Sequence, residues 1–207
     1  MPLPPRFLFI AGRLSIDFAL TGGEGERAYW ERWQSPEDFA DWARACPALA
    51  VDVPVSQRDL IHAQELREAI WWAAQAVLRG EDVPPAIQEL LSRFAKQPGP
   101  VPVMRAGEMR WLNPTATQVL SSIGRDAIEL FGTGLRSRLR ECRNPNCGLL
   151  FVDLSRPGKR RWCAMRRCGN LNKIARYRTG HGITQSNGQR FSEERSNDYV
   201  PGSASQP

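Results

Sequence analysis

Cys142-Arg143-Asn144-Pro145-Asn146-Cys147 and Cys163-Ala164-Met165-Arg166-Arg167-Cys168 are two matched turns, each with four residues between its cysteines, and fifteen residues separate Cys147 from Cys163. Two thiolates on one tight turn, each about 2.3 Å from a metal, fill two corners of a tetrahedron, and a second turn fills the other two. The spacing therefore predicts a closed cage of four thiolates for one structural Zn2+, with Cys142, Cys147, Cys163 and Cys168 as ligands. A pair of disulfides is the alternative, and it requires an oxidising compartment. The opening Met1-Pro2-Leu3-Pro4-Pro5-Arg6 has no basic region feeding a long apolar one, and Phe7-Leu8-Phe9-Ile10-Ala11 is too short for a signal core or a membrane span. The expected location is the reducing cytoplasm, where zinc is the better reading.

The cage lies in the most basic part of the chain. Residues 1–135 hold 13 Lys/Arg against 17 Asp/Glu, residues 136–178 hold 13 against 2, and residues 179–207 hold 2 against 3, giving −4, +11 and −1. Clustered cations are the electrostatic footprint of a polyanion partner, and a merely solvated basic face is the plainer alternative. With 207 residues and 42% hydrophobic content, the chain can form one sizeable core plus a small module. The predicted class is α+β: a mainly helical N-terminal domain (1–135) with a small hairpin, a treble-clef- or ribbon-like zinc module (136–180), and a disordered Gly/Ser/Asn-rich tail (181–207).

Within the first domain, residues 7–21 run apolar and then alternate through Leu14, Ile16 and Phe18, which predicts a strand. Asp17 interrupts that face and is either a backbone cap or part of a ligand site. Ser35-Pro36-Glu37-Asp38 opens a short helix through Phe39, Trp42 and Ala43, and Ser56-x-x-Asp59 opens a long one reaching Gly80. Trp71 and Trp72 are adjacent on that helix, about 100° apart, so one of them sits at a domain edge, in a subunit contact or on the wall of an effector site. A helix from Pro84-Pro85, a hairpin turning at Arg105-Ala106-Gly107-Glu108, and a helix after Asn113-Pro114 follow, before Gly132-Thr133-Gly134 interrupts the chain as a hinge-like joint. Cys46 before Pro47 is expected to be a buried, unreactive thiol.

In the module, Leu149-Leu150-Phe151-Val152 predicts a short strand lying on the metal turn, and Trp162 is expected to pack inward. The exposed-cation candidates for nucleic-acid binding are Arg156, Lys159, Arg160, Arg161, Arg166 and Arg167, continued by Lys173, Arg176 and Arg178 on a helix after Cys168. So short a segment buries too little to order itself, and metal binding, worth about 10–16 kcal/mol in finger peptides, has to supply that order.

These residues resemble the bacterial CGNR zinc-finger proteins. Cys142 to Gly148, Leu150-Phe151-Val152-Asp153, Arg160-Arg161-Trp162-Cys163-Ala164-Met165 and Cys168-Gly169-Asn170 are similar to that module, and Asp17-Phe18 with the helical N-terminal region is similar to the family's ABATE domain. Leu171 stands where the naming motif has arginine, with the basic role passing to Arg166, Arg167 or Lys173, and Leu20 stands where the N-terminal motif carries asparagine. The resemblance implies a stress-associated transcriptional regulator with the four cysteines on zinc and the basic finger on DNA.

Three other function classes remain in view. Catalysis is disfavoured because catalytic zinc keeps an open position and commonly uses histidine, whereas this cage is all sulfur; the chain is expected not to be an enzyme. RNA is an alternative partner for a basic module with an aromatic side chain. A protein-interaction module with purely structural zinc is another. The N-terminal domain is expected to dimerise or to sense a small-molecule effector, with Asp17, Trp71 and Trp72 as candidate effector contacts, and no membrane partner is expected.

Overall fold

The computed structural model describes residues 6–170, about half of them helical, with two small antiparallel hairpins. The tail, together with Leu171, Lys173, Arg176 and Arg178, lies outside the described residues. Helices α1 (Leu14–Ala19), α2 (Pro36–Ala45), α3 (Gln57–Leu78), α4 (Pro85–Ala95) and α5 (Ala116–Gly132) make the body, with β1 (Pro102–Arg105) and β2 (Glu108–Trp111) between α4 and α5. Strands β3 (Leu139–Glu141) and β4 (Leu150–Val152) flank the first metal turn. Among the described residues no helix is long and apolar enough to cross a membrane.

The helix starts follow their local chemistry. Ser56 and Asp59 close a capping box at α3, with the Ser56 Oγ accepting the Asp59 N–H and the Asp59 carboxylate accepting the Ser56 N–H. Thr115 and Gln118 do the same for α5, so the cap falls one residue beyond the predicted Asn113-Pro114. Helix α3 is the spine, burying Leu60, Ala63, Leu66, Ile70 and Ala73 against α1, α4 and α5. The β1–β2 hairpin pairs Met104 with Met109 at its exposed end, while the Trp111 indole N–H donates to Leu49 O at 2.9 Å and ties it to the body. Buried Cys46 has its thiol pKa pushed up by burial, as expected of an inert core thiol.

The strand expected across residues 7–21 is a correction: Leu14–Ala19 is helix α1. Ser15, Ile16, Phe18 and Ala19 are all buried, so the segment is enclosed on every side, and alternation over so few residues cannot separate an enclosed helix from a strand. Packing against α3 and α5 supplies the order that six residues lack by themselves. Asp17 is a backbone cap, its Oδ1 accepting the N–H groups of Ile10 and Ala11 at 2.9 Å each.

Phe18, Trp33, Phe39 and Trp42 form an aromatic cluster with centroid separations of 5.0–6.3 Å. Beside it lies a buried ionic network. Arg67, its side chain 3% exposed, grips Glu31 with two bonds of 2.7 and 2.6 Å and lies 4.9 Å over the Trp33 ring. Arg27 pairs with Glu68, donates to Gly22 O at 2.8 Å and covers Trp71 at 4.4 Å. Gly22 takes φ +143°, and a Cβ there would stand 2.7 Å from the Glu31 backbone, so this turn requires glycine.

Arg67→Met leaves Glu31 partly buried without its counter-charge and should cost about 3–5 kcal/mol in denaturant unfolding, whereas adding Glu31→Gln should recover most of the loss. Asp17 has its pKa raised from 3.8 to about 6, chiefly by burial, which outweighs its two backbone donors. The folded state therefore holds this proton more tightly than the unfolded chain does. Its contribution is complete below about pH 4 and is lost as pH rises through about 6. Asp17→Asn should flatten the stability profile across that interval in pH-resolved melts.

Candidate metal centre and basic surface

Strands β3 and β4 pair antiparallel in the register Leu139↔Val152, Arg140↔Phe151 and Glu141↔Leu150, which puts Cys142 and Cys147 on the loop that joins them. That loop is a tight knuckle. Cys142 N–H donates to Leu149 O at 2.9 Å, Cys147 N–H to Asn144 O at 2.9 Å, and Asn146 N–H to the Asn144 side-chain oxygen at 3.1 Å. Gly148, at φ +61°, lets the chain turn back into β4. The second pair comes from Cys163 and from the helical turn Met165–Gly169, where Cys168 N–H donates to Ala164 O at 2.9 Å.

The four sulfurs lie within 4.8 Å of one another, and Cys163 Sγ is 3.7 Å from both Cys147 Sγ and Cys168 Sγ. A tetrahedron with Zn–S bonds of about 2.3 Å has edges of about 3.8 Å, so the spacing suits zinc. A disulfide would need sulfurs about 2.05 Å apart, and all five cysteines are free thiols. Cys142, Cys163 and Cys168 are buried and Cys147 is half-buried. Burial pushes the Cys163 thiol well above its usual range and Cys147 up to about 11. At Cys142 burial is outweighed by the N–H donors of Asn144 and Cys163, and the thiol sits below its ordinary value. A dication supplies the compensating charge that lets all four ionise together. The cage is a site for one structural zinc, closed by four sulfurs.

The basic residues divide into two groups. Arg160 is half-buried and committed inward: its Nε donates to Trp162 O at 2.8 Å, Nη2 donates to Cys163 O and to Ile10 O, and its guanidinium lies 4.6 Å over Phe151. Arg138 donates to Asp153 O at 3.1 Å and Ser155 O at 2.8 Å, and Arg136 faces Asp82. By contrast Arg143, Arg156, Lys159, Arg161, Arg166 and Arg167 are exposed, and none pairs with a carboxylate among the described residues. Trp162 is half-buried against the core, with Arg161 5.6 Å from its ring centre.

Asp153 organises the basic loop and went unnoticed as a functional residue in the sequence. Fully buried, it accepts the Ser155 N–H and hydroxyl at 3.0 and 2.6 Å through Oδ1 and the Arg160 N–H at 2.7 Å through Oδ2. The Ser155 hydroxyl and these backbone donors hold its carboxyl below the usual range. The signal was present as Asp-x-Ser after an apolar strand, the pattern of a side chain that bonds its own backbone two residues on.

The three candidate effector residues have three different surroundings. Asp17 caps Ile10 and Ala11, Trp71 lies under Arg27, and Trp72 is 54% exposed on the outside of α3. At the joint, the Thr133 hydroxyl donates to Glu129 O at 2.8 Å and accepts Leu135 N–H at 3.2 Å, so the chain between Gly132 and Gly134 is bonded on both sides.

No curated protein matches the chain. Family models do. Residues 138–181 match the CGNR zinc finger, and residues 12–134 match the ABATE family, described as "Putative stress-induced transcription regulator". With its helical body, its cage of four cysteines and more than half its length under that model, the chain belongs to the ABATE family of regulators and carries a CGNR zinc finger.

Proposed function

We propose that this zinc-binding regulator reads duplex DNA through the outer face of its finger, with the ABATE body holding that face in place and zinc serving structure, not catalysis. The observation that carries the reading is the set of exposed, carboxylate-free cations on a metal-ordered scaffold: Arg143, Arg156, Lys159, Arg161, Arg166 and Arg167. Phosphates supply the counter-charge, and release of their condensed counterions drives association. The regulator family matched by residues 12–134 supports DNA as the partner.

Phosphate contact makes log affinity fall with log salt at about −0.9 per contact on duplex DNA. Lys159→Ala and Arg161→Ala should each reduce that slope by about 1 in fluorescence-anisotropy titrations. Arg160→Ala should instead lower the melting temperature and leave the slope close to that of the parent protein, because its guanidinium bonds the finger's own carbonyls. An unchanged slope in the Lys159 and Arg161 variants, or stronger displacement by an RNA hairpin of equal charge, overturns the DNA reading.

Metal removal provides a second test. Leu150, Phe151 and Val152 are completely buried in the core that also holds Ile16, Phe18 and Ile70. Chelation should therefore abolish DNA binding and lower the melting temperature of the ABATE helices as well. DNA affinity that survives complete zinc loss would defeat the proposal.

A further inference from the structure

A cavity of about 430 Å³ lies where residues 6–8 and 20–32 meet the metal turn, a size typical of small-molecule sites. Its walls combine two chemistries. Phe7, Tyr29 and Trp30 offer aromatic surface, and Tyr29 is 95% exposed at the rim. Arg32 and Arg167 line the same space, both exposed and neither paired with a carboxylate among the described residues. A third arginine, Arg6, is already neutralised by Asp38 and Asp41. The Trp30 indole N–H is buried and has no hydrogen-bond partner among the described residues.

The Arg32 side of the cavity is held from behind by the ionic network. Glu31 stands between the wall residues Trp30 and Arg32, is gripped twice by Arg67, and accepts the N–H groups of Gly23, Arg32 and Trp33 at 3.2, 3.0 and 2.9 Å. Arg32 N–H also donates to Thr21 O at 2.9 Å, and Thr21 is itself a wall residue. So many bonds behind two consecutive aromatics and an exposed arginine make a preorganised wall, and preorganisation lowers the cost of binding. Two guanidiniums beside flat aromatic faces match an anion that carries a flat aromatic ring. The charge accepts forked hydrogen bonds from arginine, and the ring stacks.

We propose that this cavity binds a small organic anion that carries a flat aromatic ring, an aromatic carboxylic acid's anion or a nucleotide phosphate, with Arg32 and Arg167 on the charge and Phe7, Tyr29 and Trp30 around the ring. It lies apart from the effector contacts expected in the sequence, and its wall includes the zinc ligand Cys147.

The test is calorimetric titration of the zinc-loaded full chain with indole-3-acetate and, separately, AMP, using uncharged indole and inorganic phosphate as part-ligands. No nucleic acid is present, so failure here and failure of DNA binding are separable. One of the two anions should bind in a 1:1 ratio, with indole and phosphate each at least about tenfold weaker. Arg32→Gln and Arg167→Gln should each weaken it about tenfold or more, and Arg110→Gln on the remote hairpin should leave it unchanged. Arg32 lies outside the metal turn, so its variant reads the site even if Arg167→Gln disturbs zinc, which metal analysis of each variant reports. Absence of binding by both anions, binding of phosphate alone with equal strength, or binding that survives Arg32→Gln would overturn the proposal.

Discussion

Four sulfurs within 4.8 Å, three of them buried, can be ionised together only around a cation. That constraint governs the finger, from residue 138 to the end of the described structure. Without a metal, burial favours protonated thiols that hold nothing; with one, two turns fifteen residues apart become a single rigid object. The loop between the turns carries Arg156, Lys159 and Arg161, all exposed. Like charges do not gather on a surface unaided, so the metal's binding energy sets them against their mutual repulsion and the order is then available to a polyanion.

The finger is also fastened to the body by a short chain of backbone bonds. Asp17 accepts the N–H groups of Ile10 and Ala11, and on the other side of that dipeptide Ala11 O accepts Val152 N–H at 2.7 Å while Ile10 O accepts Arg160 Nη2 at 3.5 Å. Gly12 completes the junction, since at φ +82° a Cβ would stand 3.1 Å from Val152 O. Asp17 thus serves the finger without touching it. By fixing the direction of two backbone groups, it presents the carbonyls on which β4 and Arg160 dock. The ordering supplied by zinc is thereby passed to the core of α1 and α3.

Much of this was legible in the residues. The cage followed from spacing because ligand geometry is local, and helices α2, α3 and α4 followed from N-terminal signatures that act within one turn, capping boxes in the first two and proline in the third. Strand β4 was readable from four consecutive apolar residues. What could not be read was whatever depended on the surroundings. Helix α1 looked like a strand because its enclosure on all sides, set by α3 and α5, erased the polar face that marks a helix. Strand β3 was hidden within Leu139-Arg140-Glu141, where one apolar residue gives no period. Asp17 stood out as a carboxylate on an apolar face and Trp71 and Trp72 as adjacent aromatics, and composition carries no information on how residues so far apart in the chain are placed relative to one another.

The arginines of the finger show the same limit more sharply. By sequence, Arg160 and Arg161 are equivalent neighbours in one basic run. The backbone turns them to opposite sides: Arg160 spends its donors on Trp162 O, Cys163 O and Ile10 O, and Arg161 points outward across Trp162. Asp153 decides which is which, because its bond to Arg160 N–H fixes the loop at that residue. A half-buried guanidinium with its donors bonded inward stabilises the finger, and an exposed one without a counter-charge is free to meet a phosphate. Charge density alone therefore overstates the interface; the cations that can bind are those the fold has left without an internal task.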